Sequence, residues 1–262
     1  MQYNAVCTLA SFEAIRGDVL AVYGRDPVGR EFRKEWEVAM SVRGLRDFGA
    51  VHPDARLLGV GAGTERTSYF LTLYAGQVFA TDLYADGGWP GWADKGMLCD
   101  PSPWADGDWN RQRLVVQHMN GCELHYPDAW FDGIYSASSI EHFGTLDDVA
   151  LSAAEMGRVL KPGGVIALTT EWRLTGTKGN GWGNVIVFNP DTLRQYIIEP
   201  SGCELVDEPD YGFDNATLAT GQDLDWVVST ANHGGQIPTP HIVLLHQGYM
   251  FTSVSVVMRK PL

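Results

Sequence analysis

Positive charge is scarce in this chain, and cysteine is thinly scattered. Lysine and arginine number 19 against 32 aspartates and glutamates, a formal net charge of −13. A sequence-independent grip on DNA or RNA needs a surplus of cations, so nucleic acid is not expected as a partner. Nothing in this balance favours an anionic membrane surface either. The four cysteines, Cys7, Cys99, Cys122 and Cys203, form no C-x-x-C pair. That speaks against a zinc site or a disulfide framework, and for reduced thiols in a cytoplasmic protein. No run approaches the roughly 18 apolar residues of a membrane span. Met1-Gln2-Tyr3-Asn4 offers no basic n-region and no apolar h-region, so no signal peptide is expected. Internal repeats and low-complexity tracts are absent. The 262 residues, 45% of them hydrophobic, suit one large domain with a full core.

What is present is a strand–turn–helix opening. Leu57-Leu58-Gly59-Val60 reads as a short apolar strand running into Gly61-Ala62-Gly63, and a helix-like run, Thr67 to Tyr74, follows. Glycines let the backbone bend sharply and let a ligand approach the main chain. The start of the next helix offers free N–H groups to an anionic group. A tight turn with no ligand gives the same pattern, and this stretch alone leaves both readings open. Val78 to Asp82 is a second strand, ending in an acid some ~20 residues past the glycines. Asp82 is placed to accept hydrogen bonds from a ribose diol, or to cap the strand end.

Before these strands, Phe32, Trp36, Ala39 and Met40 share one face of a predicted helix, with charges opposite. It reads as an amphipathic helix laid on the main domain, loosened at its end by Gly44 and Gly49. After them, Tyr84 to Asn110 carries Trp89, Trp92, Trp104 and Trp109 among five aspartates and three prolines. Prolines and glycines exclude a long helix there. The tryptophans either stack on a ligand ring or form a private mini-core. The acid spacing fits no calcium loop.

Leu114 to Met119 is a third strand, followed by Asn120-Gly121-Cys122. Gly133 to Ser136 is a fourth, followed by Ser138, Ser139, Glu141 and His142. Leu146 to Leu160 has helical periodicity and stops at Lys161-Pro162-Gly163-Gly164. Val165 to Thr169 is a fifth strand. This alternation predicts an α/β fold with a doubly wound, mostly parallel sheet, whose ligands sit at the carboxyl ends of the strands. Gly61 to Gly63, Asp82, Asn120 to Cys122 and Ser136 to His142 all fall on that edge. Beyond it, Thr175 to Asn184 reads as a glycine-rich flap and Asn189 starts a helix to about Ile198. Cys203 to Asp207 reads as a sixth strand, and 208–240 has no clear period. Tyr249 to Met258 closes the sheet, antiparallel at or near its edge.

Three further segments carry a family likeness. Pro127-Asp128-Ala129-Trp130-Phe131-Asp132 is followed by Glu141-His142, then by Glu155 through Arg158-Val159-Leu160-Lys161-Pro162-Gly163-Gly164. In this order and spacing, from Leu57 to Glu171, the chain resembles the class I S-adenosylmethionine-dependent methyltransferases of the small-molecule group. The resemblance implies a seven-stranded Rossmann-like methyltransferase sheet and S-adenosyl-L-methionine as cofactor. It divides the chain into an N-terminal helical cap (1–50), a cofactor-binding core (51–171) and substrate-side insertions with closing strands (172–262). It implies that Gly61, Ala62, Gly63 and Thr64 lie against the amino-acid part of the cofactor. Asp82 then holds the ribose, and Leu83 lies beside the adenine. Asn120, Gly121 and Cys122 meet the adenine edge, and Ser136 offers its backbone to the cofactor's amino group. The family commonly has an acid at position 59 and often a glycine at 65. Here Gly59 lacks the acid, and Glu65 or Glu141 is left to supply the charge. Asn120 replaces an adenine-side acid.

The implied activity is methyl transfer to a small molecule, with O-methylation of a sugar, glycoside or aromatic natural product favoured by the tryptophan-rich loop. His142 is the first choice of general base, because imidazole titrates near neutrality. Its alternative is a structural role in the cofactor wall. Glu171, at the end of the fifth strand, is second; His233 and His241 are third. No metal is expected, because Ser138 stands where metal-using relatives carry a further acid. Two other functions share parts of this pattern: an NAD(P)-dependent oxidoreductase, and a non-catalytic S-adenosylmethionine-binding protein.

Overall fold

The apolar run around Leu57 folds as strand β1, Arg56–Val60, in the middle of a single sheet. A computed structural model describes residues 2–86, 93–176 and 179–262. Strands β2 (Gln77–Asp82), β3 (Leu114–His118), β4 (Phe131–Ala137) and β5 (Leu160–Thr175) run parallel to β1. Short β6 (Leu244–His246) and long β7 (Tyr249–Arg259) form a hairpin, and β7 is antiparallel to β5. The spatial order is β3-β2-β1-β4-β5-β7-β6.

Both faces of the sheet are covered, so consecutive residues of its central strands are buried rather than alternately exposed. Leu57, Val165, Ala167 and Val257 pack on one side with Val38, Val42 and Leu45 of helix α3 (Arg33–Asp47). Leu58, Ile134, Ile166 and Leu168 pack on the other with Val149, Met156 and Val159 of helix α5 (Leu146–Val159). Thr145 and Asp148 form a capping box that starts α5. Helices α1 (Leu9–Ala14) and α2 (Arg16–Tyr23) precede α3, and α4 (Arg66–Leu71) follows the glycine turn.

Several expectations change. Helix α3 runs through Gly44 instead of loosening there: a Cβ at Gly44 would lie 2.8 Å from Val257 Cγ2, so the missing side chain lets helix and strand close. Its charged face is not solvated, since Arg33, Glu35 and Glu37 are buried. The strand expected over Cys203 to Asp207 is present but shorter, and β6 is an additional strand. Only Glu204–Leu205 of that stretch is extended, and it pairs with the far end of β7. Strand β7 does lie near the edge and antiparallel, as expected; the short strands β6, Ala5–Val6 and Glu204–Leu205 cover its outer side in succession. The 208–240 stretch holds helix α6, Leu224–Asn232. In the tryptophan-rich segment, Trp104 and Trp109 pack with Tyr69, Tyr84, Ala93 and Met97. They make the mini-core of the two alternatives. Trp89 and Trp92 lie outside the described residues.

Candidate active site

A cavity of about 940 Å³ opens at the carboxyl edge of the parallel strands. A second, of about 660 Å³, lies at the other end around Lys161–Gly164. Its cations are already bonded: Lys161 to Asp132, Arg259 and Lys260 to backbone carbonyls. Most of the predicted site residues line the first.

One half of that cavity is built on the glycine turn. Gly61 and Gly63 take φ of +66° and +49°, which side chains resist. The Asp82 carboxylate, at the end of β2, accepts the Gly63 N–H at 2.9 Å and the Leu83 N–H at 2.7 Å. It therefore fixes the turn and still presents free lone pairs to the cavity. Burial raises its pKa, against the pull of these two amides. Tyr84 donates to the Gly63 carbonyl at 2.7 Å, tying the long loop to the same turn. Leu83, Met119, Asn120, Gly121 and Phe143 continue the wall. Gly121 leaves room for the Phe143 ring, 2.8 Å from where its Cβ would be.

Some predicted residues are placed differently. Asn120 Oδ1 accepts the Cys122 N–H at 3.0 Å, an Asx turn that uses one of its lone pairs. Cys122 does not line the cavity; its thiol points to the Asp148 carbonyl on α5 at 3.3 Å. Ser136 is buried and does not line the cavity, its hydroxyl unpartnered. Ala62 is buried, with its N–H on the Thr81 carbonyl, and neither it nor Thr64 lines the cavity. Ser139, instead, donates to the Gly61 carbonyl at 2.6 Å.

The other half holds a buried polar network. Arg33 grips Glu171 through two N–H···O bonds of 2.9 Å, and also reaches Glu37 at 2.9 Å and Ser253 at 2.7 Å. Lys34 bonds Ser138 and lies 3.1 Å from Glu37. Ser138 passes its own hydrogen to Glu141 at 2.7 Å, and Thr170 donates to the other Glu141 oxygen at 2.9 Å. Glu171 is thus matched as an anion to Arg33, an arrangement suited to orientation rather than to taking a proton. His142 lines the cavity with Nδ1 3.4 Å from the Asn184 carbonyl and Nε2 4.0 Å from Glu141. His233 reaches the wall, Nδ1 2.7 Å from the Ser229 carbonyl. His241 does not line the cavity. It is buried and stacked on Phe32, and burial pushes its pKa down to about 3.

Two residues of the distal wall, Trp182 and His246, were not singled out from the sequence. The hairpin Gly181–Trp182 and Val185–Ile186 presents Trp182, whose ring lies 4.8 Å from His246 and 5.0 Å from Phe251. His246 ends β6 and pairs with Asp225 of α6 at 3.3 Å. Two- and three-residue strands have no readable period, and a lid helix far along the chain gives no local sign of what it covers.

Comparison with known proteins agrees with this architecture. A methyltransferase-domain family model matches residues 96–168. A probable S-adenosylmethionine-dependent methyltransferase of Mycolicibacterium smegmatis is 34% identical over 132 residues. That match spans 48% of this chain and 45% of the relative, so the chain matches about half the relative's length. Among solved structures, the cyclase SpnF superposes over 100% of both chains with a TM-score of 0.56 at 16% identity. Phosphoethanolamine N-methyltransferase 2 of Haemonchus contortus, solved with S-adenosyl-L-methionine, superposes over 85% of this chain and 52% of its own. Its TM-score is 0.54 at 15% identity. The fold is the class I methyltransferase fold. The sequence matches are likewise to S-adenosylmethionine-dependent methyltransferases, over part of the chain. Among the described residues no helix is long and apolar enough to cross a membrane, and no cluster of side chains has a metal-ligand arrangement.

Proposed function

We propose that this chain transfers a methyl group from S-adenosyl-L-methionine to the hydroxyl of a neutral small molecule, a sugar, glycoside or aromatic compound. One observation carries the cofactor half: Asp82 is pinned by the Gly63 amide so that carboxylate and glycine turn face one cavity. The residues fit the group. Asp82 has lone pairs for a ribose, Gly121 and Phe143 make a flat wall for a purine, and the turn leaves open backbone beside them. When bound, the cofactor supplies an already activated methyl. The protein's task is then chiefly to hold the acceptor in line, worth several kcal/mol.

The acceptor half supports a neutral ligand. Arg33 and Lys34 face it, but carboxylates already match both. A phosphate or carboxylate acceptor would have to displace them. Trp182, His246 and Phe251 instead offer aromatic faces to a sugar or a ring. His142 stands between the two halves and is our choice for taking the hydroxyl proton. Glu171 holds Arg33 in place beneath it. The free cysteines accord with a cytoplasmic protein.

Thermal melting with S-adenosylhomocysteine and with NADH tests the cofactor. The first ligand should raise the melting temperature and the second should not. A melting curve unmoved by millimolar S-adenosylhomocysteine sinks the reading. Labelled-methyl transfer to phenolic, glycoside, sugar and amine probes tests the acceptor class. His142→Gln should then lose turnover and keep cofactor affinity.

A further inference from the structure

Glu65 follows the glycine turn and lines the cavity, yet no described residue bonds its carboxylate. Its Oε2 is closed off from water and lacks a hydrogen-bond donor. An acceptor left this way inside a protein costs free energy until a donor arrives. The other anions and acceptors nearby already have protein donors. Glu141 receives Ser138 and Thr170 on its two oxygens. Glu171 is held by Arg33. Asp82 already accepts two amides, and the Gly61 carbonyl accepts Ser139. Position 59, at the base of the turn, can carry no acid, because the Tyr135 phenol fills that space.

We infer that Glu65 is the anionic anchor for the α-ammonium of S-adenosyl-L-methionine, an inference that rests on the cofactor reading above. A sulfonium has no N–H and cannot satisfy Oε2. A ribose hydroxyl belongs with Asp82. An ammonium supplies both a charge and N–H donors, and a charge-assisted pair in a closed site is the stronger kind of hydrogen bond.

A proton follows from this. Burial holds the Glu65 carboxyl well above the usual carboxylate range. Glu37 of α3, Asp82 of β2 and Glu141 beyond β4 push it the same way, and Lys34 of α3 opposes them. Tyr23 of α2, Tyr84 of the long loop and Tyr135 of β4 also face it, each phenol held neutral. Receiving an ammonium favours the carboxylate. The O–H bond of Glu65 then breaks, its electron pair stays on oxygen, and the proton leaves to solvent. Loading the site should expel up to one proton and tighten as pH rises.

Isothermal titration of the full chain tests this with two probes, S-adenosylhomocysteine and 5′-methylthioadenosine, which lacks the amino acid. Titrations run between about pH 6 and pH 8, in buffers of different ionisation heat. Wild type should release a proton with S-adenosylhomocysteine and none with methylthioadenosine. Glu65→Gln should weaken S-adenosylhomocysteine about 10-fold or more, lose the buffer dependence and leave methylthioadenosine unchanged. Glu65→Asp should regain part of the affinity, and melting curves report whether each variant is folded. Equal S-adenosylhomocysteine affinity in Glu65→Gln and wild type overturns the anchor. So does equal weakening of both probes. If neither probe binds wild type, the cofactor reading itself fails and takes the anchor with it.

Discussion

The Tyr135 ring stands where a side chain on Gly59 would go. A Cβ at Gly59 would lie 2.5 Å from both Cζ and Oη of Tyr135, whose hydroxyl is fixed by Ser68 Oγ at 2.7 Å. Tyr135 is fully buried and cannot swing away. Gly59→Asp should therefore cost about 2–4 kcal/mol, from overpacking and from a buried charge without a partner. Combined with Tyr135→Ala it should cost less than the sum of the two singles, because the double change removes the clash. Urea unfolding of the three variants measures this coupling. Strict additivity would show that the two residues do not compete for the same space.

Asp82 carries two loads that can be separated. Asp82→Ala strips the acceptors from the Gly63 and Leu83 amides, at about 1–3 kcal/mol of stability. It should also weaken S-adenosylhomocysteine by about 10-fold or more. Asp82→Asn keeps one carbonyl oxygen, so it should lose less stability yet still bind poorly. Melting temperature and titration calorimetry read the two effects. An Asp82→Ala protein that binds S-adenosylhomocysteine like wild type would remove this residue from the site.

These two residues also mark what a sequence can show. The place of Asp82 beside the glycine turn was legible because it depends on a short span: strand, turn and the tip of the next strand. The period of Leu146 to Val159 was legible for the same reason, one helix face against one sheet. Gly59 was legible only as a departure. Its cause, Tyr135, sits on a neighbouring strand. The Arg33 network had no sign in the sequence, because the partner that buries it, Glu171, arrives from 138 residues away. Cys122 was placed with its neighbours in sequence, but an Asx turn on Asn120 rotates it towards α5. His246 and Asp225 meet through a three-residue strand and a lid helix, neither of which has a pattern to read.

The Arg33 network predicts an asymmetry. Arg33→Met leaves Glu37 and Glu171 buried side by side, with Lys34 as the nearest cation. The cost should be about 3–5 kcal/mol, the range for breaking one side of a buried ion pair. Adding Glu171→Gln and Glu37→Gln to Arg33→Met should recover part of that loss, since neutral amides leave no stranded charge. Chemical denaturation compares the single and triple variants. If the triple is the less stable of the two, the carboxylates are not what makes the single variant costly.

Acid should weaken the fold through His241. The imidazole stacks on Phe32 with centroids 4.9 Å apart, and its Nδ1 is 3.4 Å from Gln222 Oε1. Burial, then the positive fields of Arg33 and Lys34, push its pKa down to about 3. In the unfolded chain it titrates near ~6.5. Between those values the unfolded chain binds a proton that the folded chain refuses. This contribution is therefore fully present above pH ~6.5 and is lost as pH falls towards ~3, at up to about 1.4 kcal/mol per pH unit. Glu65 acts in the opposite direction, because its raised pKa makes stability fall as pH rises through it. The comparison must therefore be between variants. His241→Gln keeps polar atoms near Gln222 but does not titrate, so it should lose about 2 kcal/mol less than wild type between pH 6.5 and 4.5. Urea midpoints at those two pH values give the difference. Parallel losses in the two proteins would mean that His241 is protonated in the fold and does not set its acid limit.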